Sequence, residues 1–175
     1  MNRPRRSYRY VGPADIKAAA RPECGGRPIR TAAEFDGWVK ERSATELTEP
    51  FTFVVDTDGV LRLAPRRSEH VACAGGDRVL SAGEIGFVRE AGRWVAGEVT
   101  NHSTGYCPEV ESWSAVAESL DHVGLGRPSA FTHEVHFRRC PDCQDNSIVR
   151  EGYYVCVFCG ANLPETWNVD PADED

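Results

Sequence analysis

Cysteine spacing constrains this chain more than any other feature. The run CPDCQDNSIVREGYYVCVFC, from Cys140 to Cys159, holds four of the seven cysteines as two CxxC pairs with twelve residues between them. Each pair is a tight turn that presents two thiolates on one side of the backbone, and a hairpin in the spacer folds the second pair over the first. That arrangement suits tetrahedral zinc. The spacer supplies such a hairpin in SIVR (147–150), a Glu151-Gly152 turn and YYVC (153–156). Gly160 directly follows the last sulfur, where the turn calls for a positive φ. Four thiolates leave no open position, so Cys140, Cys143, Cys156 and Cys159 are expected to hold one structural Zn2+, with iron the alternative. A segment this short has little core, and the metal should supply most of its folding free energy.

The two knuckles resemble those of zinc-ribbon and rubredoxin-like proteins. The remainder of the 175 residues has room for one core beside that ribbon and not for two full domains. No apolar stretch is long enough to cross a bilayer. The N-terminal MNRPRRSYRY is basic but has no apolar run behind it, so no signal peptide is expected. Seven cysteines without an export signal point to a reducing compartment, and a cytoplasmic location is the expectation.

The net charge of −7 is unevenly spread. Residues 1–30 carry eight basic against two acidic side chains, residues 31–137 nine against seventeen, and residues 138–175 three against eight. That acidic surface disfavours nucleic acid. Only Arg3, Arg5, Arg6 and Arg9 offer a basic arm, and a solvated, poorly ordered terminus is the plainer reading. The expected organisation is a basic, partly flexible segment over 1–30, an α+β domain over 31–138, the ribbon docked on it over 139–163, and an acidic tail over 164–175.

Local patterns fill in the domain. SYRYV (7–11) fits a short strand, and PADIKAAA (13–20) a short helix with Pro13 in its first turn. TAAEFDGWVKER (31–42) opens on Thr31 with Glu34 three residues later, a capping box, and places Phe35, Trp38 and Val39 on one helical face. FTFVVD (51–56) and VLRLA (60–64) flank a DTDG turn, and EIGFVRE (84–90) and RWVAGEVT (93–100) flank Ala91-Gly92, giving two hairpins. ESWSAVAESLDHV (111–123) is helical in period and stops at Gly124. FTHEVHF (131–137) alternates as a half-buried strand running into the first knuckle. The sum is α+β: a mainly antiparallel sheet with two or three helices and a C-terminal four-cysteine ribbon.

Two further segments are rich in polar side chains. EHVACAGGDRVLSAGE (69–84) brackets Gly75 and Gly76 with His70 and Glu84, and TNHSTGYCPE (100–109) packs Asn101, His102, Ser103, Thr104, Tyr106 and Cys107 together. If Glu84 starts one strand of the second hairpin and the 100–109 loop leaves its partner, both lie at one sheet edge. His70, Glu84 and Tyr106 then converge on a pocket, with Gly75, Gly76, Asn101, Ser103 and Thr104 as further ligand contacts. The combination of His70, Ala74-Gly75-Gly76, Ala82-Gly83-Glu84 and Asn101, Ser103, Tyr106, Pro108 resembles a segment of plant IQ-motif calmodulin-binding proteins and of bacterial toxin-type domains. It covers about residues 69–109. Here His70 stands one residue closer to the glycine pair, and Gly105 takes the place of a histidine in the family pattern.

Each of these residues also has a plain structural reading. His70 serves as a capped loop histidine, Glu84 as a strand-edge carboxylate, Tyr106 as a core aromatic, Cys73 as a small buried hydrophobe, and Cys107 as a packed thiol rather than a nucleophile. The functional readings in play are three. The first is a zinc-ribbon protein whose α+β domain binds a protein or a small polar ligand. The second is an enzyme, transferase or toxin-like by the resemblance, using His70, Glu84 and Tyr106. The third is a nucleic-acid-binding regulator using the ribbon and the N-terminal arginines, for which Tyr153, Tyr154 and Phe158 would stack on bases unless they pack the ribbon on the main domain.

Overall fold

The computed structural model describes residues 5–170. Arg3 and the acidic residues Asp173, Glu174 and Asp175 lie outside that range.

Five strands form one antiparallel sheet: β1 (Arg27–Ile29), β2 (Phe51–Asp56), β3 (Leu61–Ala64), β4 (Val79–Glu90) and β5 (Arg93–Val99), in the order β1-β3-β2-β4-β5. The two expected hairpins are both present. Asp56 sets the first turn, its Oδ1 accepting from Asp58 and Val60 N–H at 3.0 and 2.9 Å. Ala91 and Gly92 both take positive φ (51° and 78°), the two-residue turn that matches strand twist.

β2 is buried on both sides. Phe51, Phe53 and Val55 point to one face, where they meet Phe35 and Trp38 of α2 (Ala32–Lys40) and Val116 and Leu120 of α5 (Trp113–Val123). Val54 points to the other, among Val71, Cys73, Val79, Ala82 and Tyr106. Taking a side chain such as Phe53 fully out of water stabilises the fold by about 1.5–3 kcal/mol, so this strand anchors the domain. Two short helices, α3 (Ala44–Leu47) and α4 (His70–Cys73), flank the β2–β3 hairpin in sequence, and α1 (Ala14–Ala19) precedes β1. Thr31 caps α2 by accepting from Glu34 N–H at 3.1 Å, but the Glu34 carboxylate reaches back to Arg30 N–H rather than Thr31. The reciprocal capping box belongs instead to Ser43 and Glu46, at the start of α3.

Further expectations need correction. β4 begins at Val79, so Glu84 is its sixth residue and not its first. Val79–Gly83 are buried on both faces, with Ser81 satisfied by Ser112 Oγ at 2.9 Å, so no polar-apolar alternation marks the strand for a period-two reading. The stretch 131–136 forms no strand, although Phe131, Val135 and Phe137 are buried as the alternation implies. Backbone pairing there is limited to the Thr100–His133 bridge and single bonds such as Thr132 N–H to Val99 O at 2.8 Å. Side chains supplement it: Thr132 Oγ1 accepts from Val99 N–H at 2.9 Å, and Asn101 Oδ1 accepts from Val135 N–H at 2.7 Å. Finally, the regular pairing in the ribbon joins β6 (Phe137–Arg139) to β7 (Asn146–Ile148), while the Glu151-Gly152 turn closes only a bridge between Arg150 and Tyr153.

The ribbon is fastened to the domain by its neighbours. Arg138 is buried, and its guanidinium donates to the carbonyls of Phe137, Pro164 and Glu165 at 2.7, 3.0 and 2.7 Å while lying over the Tyr154 ring. Residues 164–170 fold back instead of trailing away. Trp167 and Val169 pack with Cys107, Val135 and Phe137, and Trp167 Nε1–H donates to Cys107 O at 2.8 Å. The N-terminal arginines meet carboxylates of their own chain: Arg5 with Glu118, Arg6 with Glu109 at 3.2 Å and Arg9 with Asp170 at 2.8 Å. Tyr8 forms a single bridge to Val79 where a short strand is expected.

Candidate functional site

The four cysteines of the two knuckles converge. Their sulfurs all lie within 4.8 Å of one another, with Cys140 to Cys159 and Cys143 to Cys156 each 3.6 Å apart. Ligands about 2.3 Å from a tetrahedral zinc stand roughly 3.8 Å apart, so the observed spacing fits a Zn2+ among them, whereas a disulfide requires about 2.05 Å. The backbone is built twice to one plan. Gln144 N–H donates to Cys140 O and Gly160 N–H to Cys156 O, both at 2.9 Å, with φ of 67° and 79°. Gly160 meets the expectation; Gln144 is its counterpart in the first knuckle, concealed because a side chain is tolerated there at some strain. Burial raises the Cys156 thiol, and the N–H groups of Cys159 and Phe158 outweigh it, so this sulfur ionises below the usual thiol range. Of the four, Cys140 and Cys156 are buried and Cys159 is exposed.

A second cluster of titratable groups lies on the α4 side of the sheet. His70, the first residue of α4, reaches the carbonyl of Gly83 through Nε2 at 2.8 Å. A carbonyl only accepts, so Nε2 carries the proton and Nδ1 keeps its lone pair in the neutral ring. Burial holds the His70 pKa below its ordinary value, opposed by the Gly83 contact and the Glu84 carboxylate and assisted by His102. Glu84 is half-buried, and its backbone is locked to Thr100: Glu84 N–H donates to Thr100 Oγ1 at 3.2 Å and Thr100 N–H to Glu84 O at 2.9 Å. His70, Glu84 and the exposed His102 therefore share one neighbourhood.

Tyr106 has its hydroxyl bonded elsewhere. Its ring is buried in the Val54 and Val71 cluster, edge-on to Tyr10, and its hydroxyl donates to Asp77 O at 2.6 Å. Burial drives its pKa up. Asn101 is fully buried and clamps the loop to the approach of the ribbon, donating to Pro108 O and Val135 O at 3.1 and 2.8 Å. Ser103 Oγ accepts from Tyr106 N–H at 3.3 Å, and Thr104 O accepts from Cys107 Sγ at 3.4 Å. Gly75 and Gly76 end α4 with φ of 64° and 88°, and Gly76 N–H bonds to Val71 O at 2.8 Å. Burial pushes the thiols of Cys73 and Cys107 up to about 12. Of the polar residues of this loop, His102 and Thr104 are the exposed ones.

Two clefts lie elsewhere. One of about 860 Å3 runs between the 57–60 turn and α5, lined by Arg30, Asp58, Glu118 and His122, and one of about 440 Å3 is lined by Cys24, Trp38, Arg42 and Cys73. Among the described residues no helix is long and apolar enough to cross a membrane. Arg138 and Thr100 escape a motif reading because their work is to satisfy backbone groups, which leaves no spacing signature. No protein-family model, curated protein or solved structure matches this chain.

Proposed function

We propose that this chain is a small binding protein in two parts. A tetrathiolate zinc ribbon is structural, and the α+β domain recognises a protein or a small polar ligand without chemistry of its own. The approach of four sulfurs to within 4.8 Å carries the zinc half of this reading. Bound by Cys140, Cys143, Cys156 and Cys159, zinc supplies a cross-link between the knuckles and offers no open position to a substrate. Seven cysteines free of disulfides fit a reducing compartment such as the cytoplasm. Purified protein should contain one zinc per chain, and Cys156→Ser should lose it. Metal analysis that finds none overturns this half.

The ligand half rests on His70, Glu84 and His102, the titratable groups of the α4 side that keep polar atoms free of backbone duties. A thermal-shift screen across nucleotides and common metabolites should raise the wild-type midpoint for some compound and leave His70→Ala unmoved. A screen in which neither protein responds removes the support for that patch.

A second reading, an enzyme, draws on one observation. The Nδ1 lone pair of His70, fixed by the Gly83 contact, beside the Glu84 carboxylate is a set able to take and hold a proton. Tyr106 would then act through the packing of α4 and not at the reacting atoms. Turnover of a compound found in the screen, abolished in His70→Ala, selects this reading over simple binding. Nucleic-acid binding has less to stand on, since Arg5, Arg6 and Arg9 are paired within the chain.

A further inference from the structure

We propose that the outer face of the second knuckle docks a segment of a partner protein that combines large apolar side chains with Lys or Arg. Among the described residues the exposed large hydrophobics are Val88, Tyr153, Val155, Val157 and Phe158, so four of the five fall within six consecutive positions. Tyr153 is 72% and Phe158 65% exposed. Single exposed hydrophobics are ordinary, whereas a contiguous group marks a surface that is covered in use. Both Tyr153 and Phe158 were candidates to pack the ribbon on the main domain. Neither is buried there, and their neighbour Tyr154 is half-buried within the ribbon's own cluster, with Cys140 and Cys156 and beneath Arg138.

The chain holds this patch still. Tyr153 and Val155 are alternate bridge residues, which in extended backbone leave on one side, and Val157 and Phe158 follow them in the knuckle turn. Val155 bridges to Asn162, Cys156 N–H donates to Ala161 O at 2.7 Å, and Val157 N–H donates to the buried Ser147 Oγ at 3.2 Å. Preformed apolar anchors lose little freedom on binding, and aromatic residues in such positions carry most of the affinity of an interface.

Charge selects the occupant. Between Cys140 and Cys159 the exposed carboxylates are Asp142, Asp145 and Glu151, against Arg150 alone. A zinc held by four thiolates adds two further negative charges, and to that extent the inference rests on the zinc reading. A ribbon surface with this acidic excess repels phosphate, so nucleic acid and anionic bilayers fit poorly, and it also repels a second copy of itself. A basic rim around apolar side chains is the complement.

The probe is a random-peptide display library panned against the zinc-loaded full chain. Enriched peptides should pair Leu, Ile, Phe or Trp with Lys or Arg and weaken as salt is raised. A synthetic copy should bind Tyr153→Ser and Phe158→Ser at least about tenfold more weakly, with zinc content and thermal midpoint unchanged. Loss of zinc from wild type would sink the metal reading, and it is read separately from the peptide binding. The docking inference is overturned if no peptide enriches, if enriched peptides are acidic, or if binding survives both substitutions. It is overturned equally if Tyr153 and Phe158 prove to bind phosphatidylserine vesicles or single-stranded oligonucleotides, or to join two copies in sedimentation.

Discussion

The sheet and the ribbon solve the same problem in opposite ways. The sheet surrounds β2 with apolar side chains on both faces, so Phe53, Val54 and Val55 are without exposure and need no other support. The ribbon gathers only Cys140, Cys156 and Leu163 as buried members of its cluster, with Cys143, Val149, Tyr154 and Ala161 partly covered. Two of those three buried residues are metal ligands by the present reading, so the ribbon's core is the metal itself. One region is held by area removed from water and, on the zinc reading, the other by coordination.

Removing the metal should therefore produce the largest and most local effect. A structural zinc contributes on the order of 10–16 kcal/mol to finger-sized folds, more than the rest of the ribbon can replace. Chelation, or Cys156→Ser, should collapse the backbone resonances of residues 140–163 to random-coil positions while those of β2 and β4 stay dispersed. Loss of dispersion throughout would show that the two regions form one cooperative unit. The converse is Phe53→Ala, which empties the centre of the sheet and should cost about 3–5 kcal/mol. Its urea midpoint should fall while zinc release, followed by a colorimetric chelator, keeps its own midpoint. Coincidence of the two transitions breaks the comparison.

Asn101 tests the seam between the regions. Its buried amide serves Pro108 O, Val135 O and Val135 N–H, which join the end of β5 to the chain entering the ribbon. Asn101→Ala leaves those backbone groups unpaired, at about 1–3 kcal/mol for each that water fails to reach. The expected outcome is a loss near 3 kcal/mol, with hydrogen exchange at Val135–Arg139 rising first. Exchange that rises uniformly instead would place Asn101 in the sheet's own cooperative unit.

The four-cysteine cluster was readable from the sequence because coordination demands fixed residue types at fixed spacing, and little else imitates two CxxC pairs. The hairpins and both principal helices were readable because turn chemistry and period act locally: Ala91-Gly92, Asp56-Thr-Asp-Gly and the stop at Gly124 each declare themselves within a few residues. What escaped depends on partners far along the chain. The start of β4 at Val79 is hidden because Val54 and Tyr106 cover one face and α2 and α5 the other, removing the alternation. The clasp of Trp167 and Val169 against Cys107 and Phe137 is hidden by the acidic composition around it. In TNHSTGYCPE, a density of polar side chains resembles recognition chemistry, yet Asn101 spends its amide on the backbone of Pro108 and Val135, and Ser103 its hydroxyl on Tyr106 N–H. Polar density alone does not separate a site from a clamp, because both need donors and acceptors; burial and the identity of the partner do.

His70 offers the smallest effect and the finest distinction between the two regions. Burial lowers its pKa in the folded state, with Glu84 and the Gly83 contact pulling the other way and His102 reinforcing the shift. The unfolded chain, with a pKa near 6.5, then binds a proton over a range of pH in which the folded chain does not. Stability from this group is fully present above the unfolded value and falls as the pH drops below it, by at most about 1.4 kcal/mol per pH unit, until the folded pKa is reached. His70→Gln keeps an N–H donor within reach of Gly83 O but cannot titrate. Urea midpoints of the wild type should therefore decline between pH 7 and pH 5 relative to those of the variant, and the difference should belong to the sheet's transition. A decline of equal size in His70→Gln would assign the acid sensitivity to the thiolates of the ribbon, whose zinc is displaced by protons, and would leave His70 silent in the folding of its own domain.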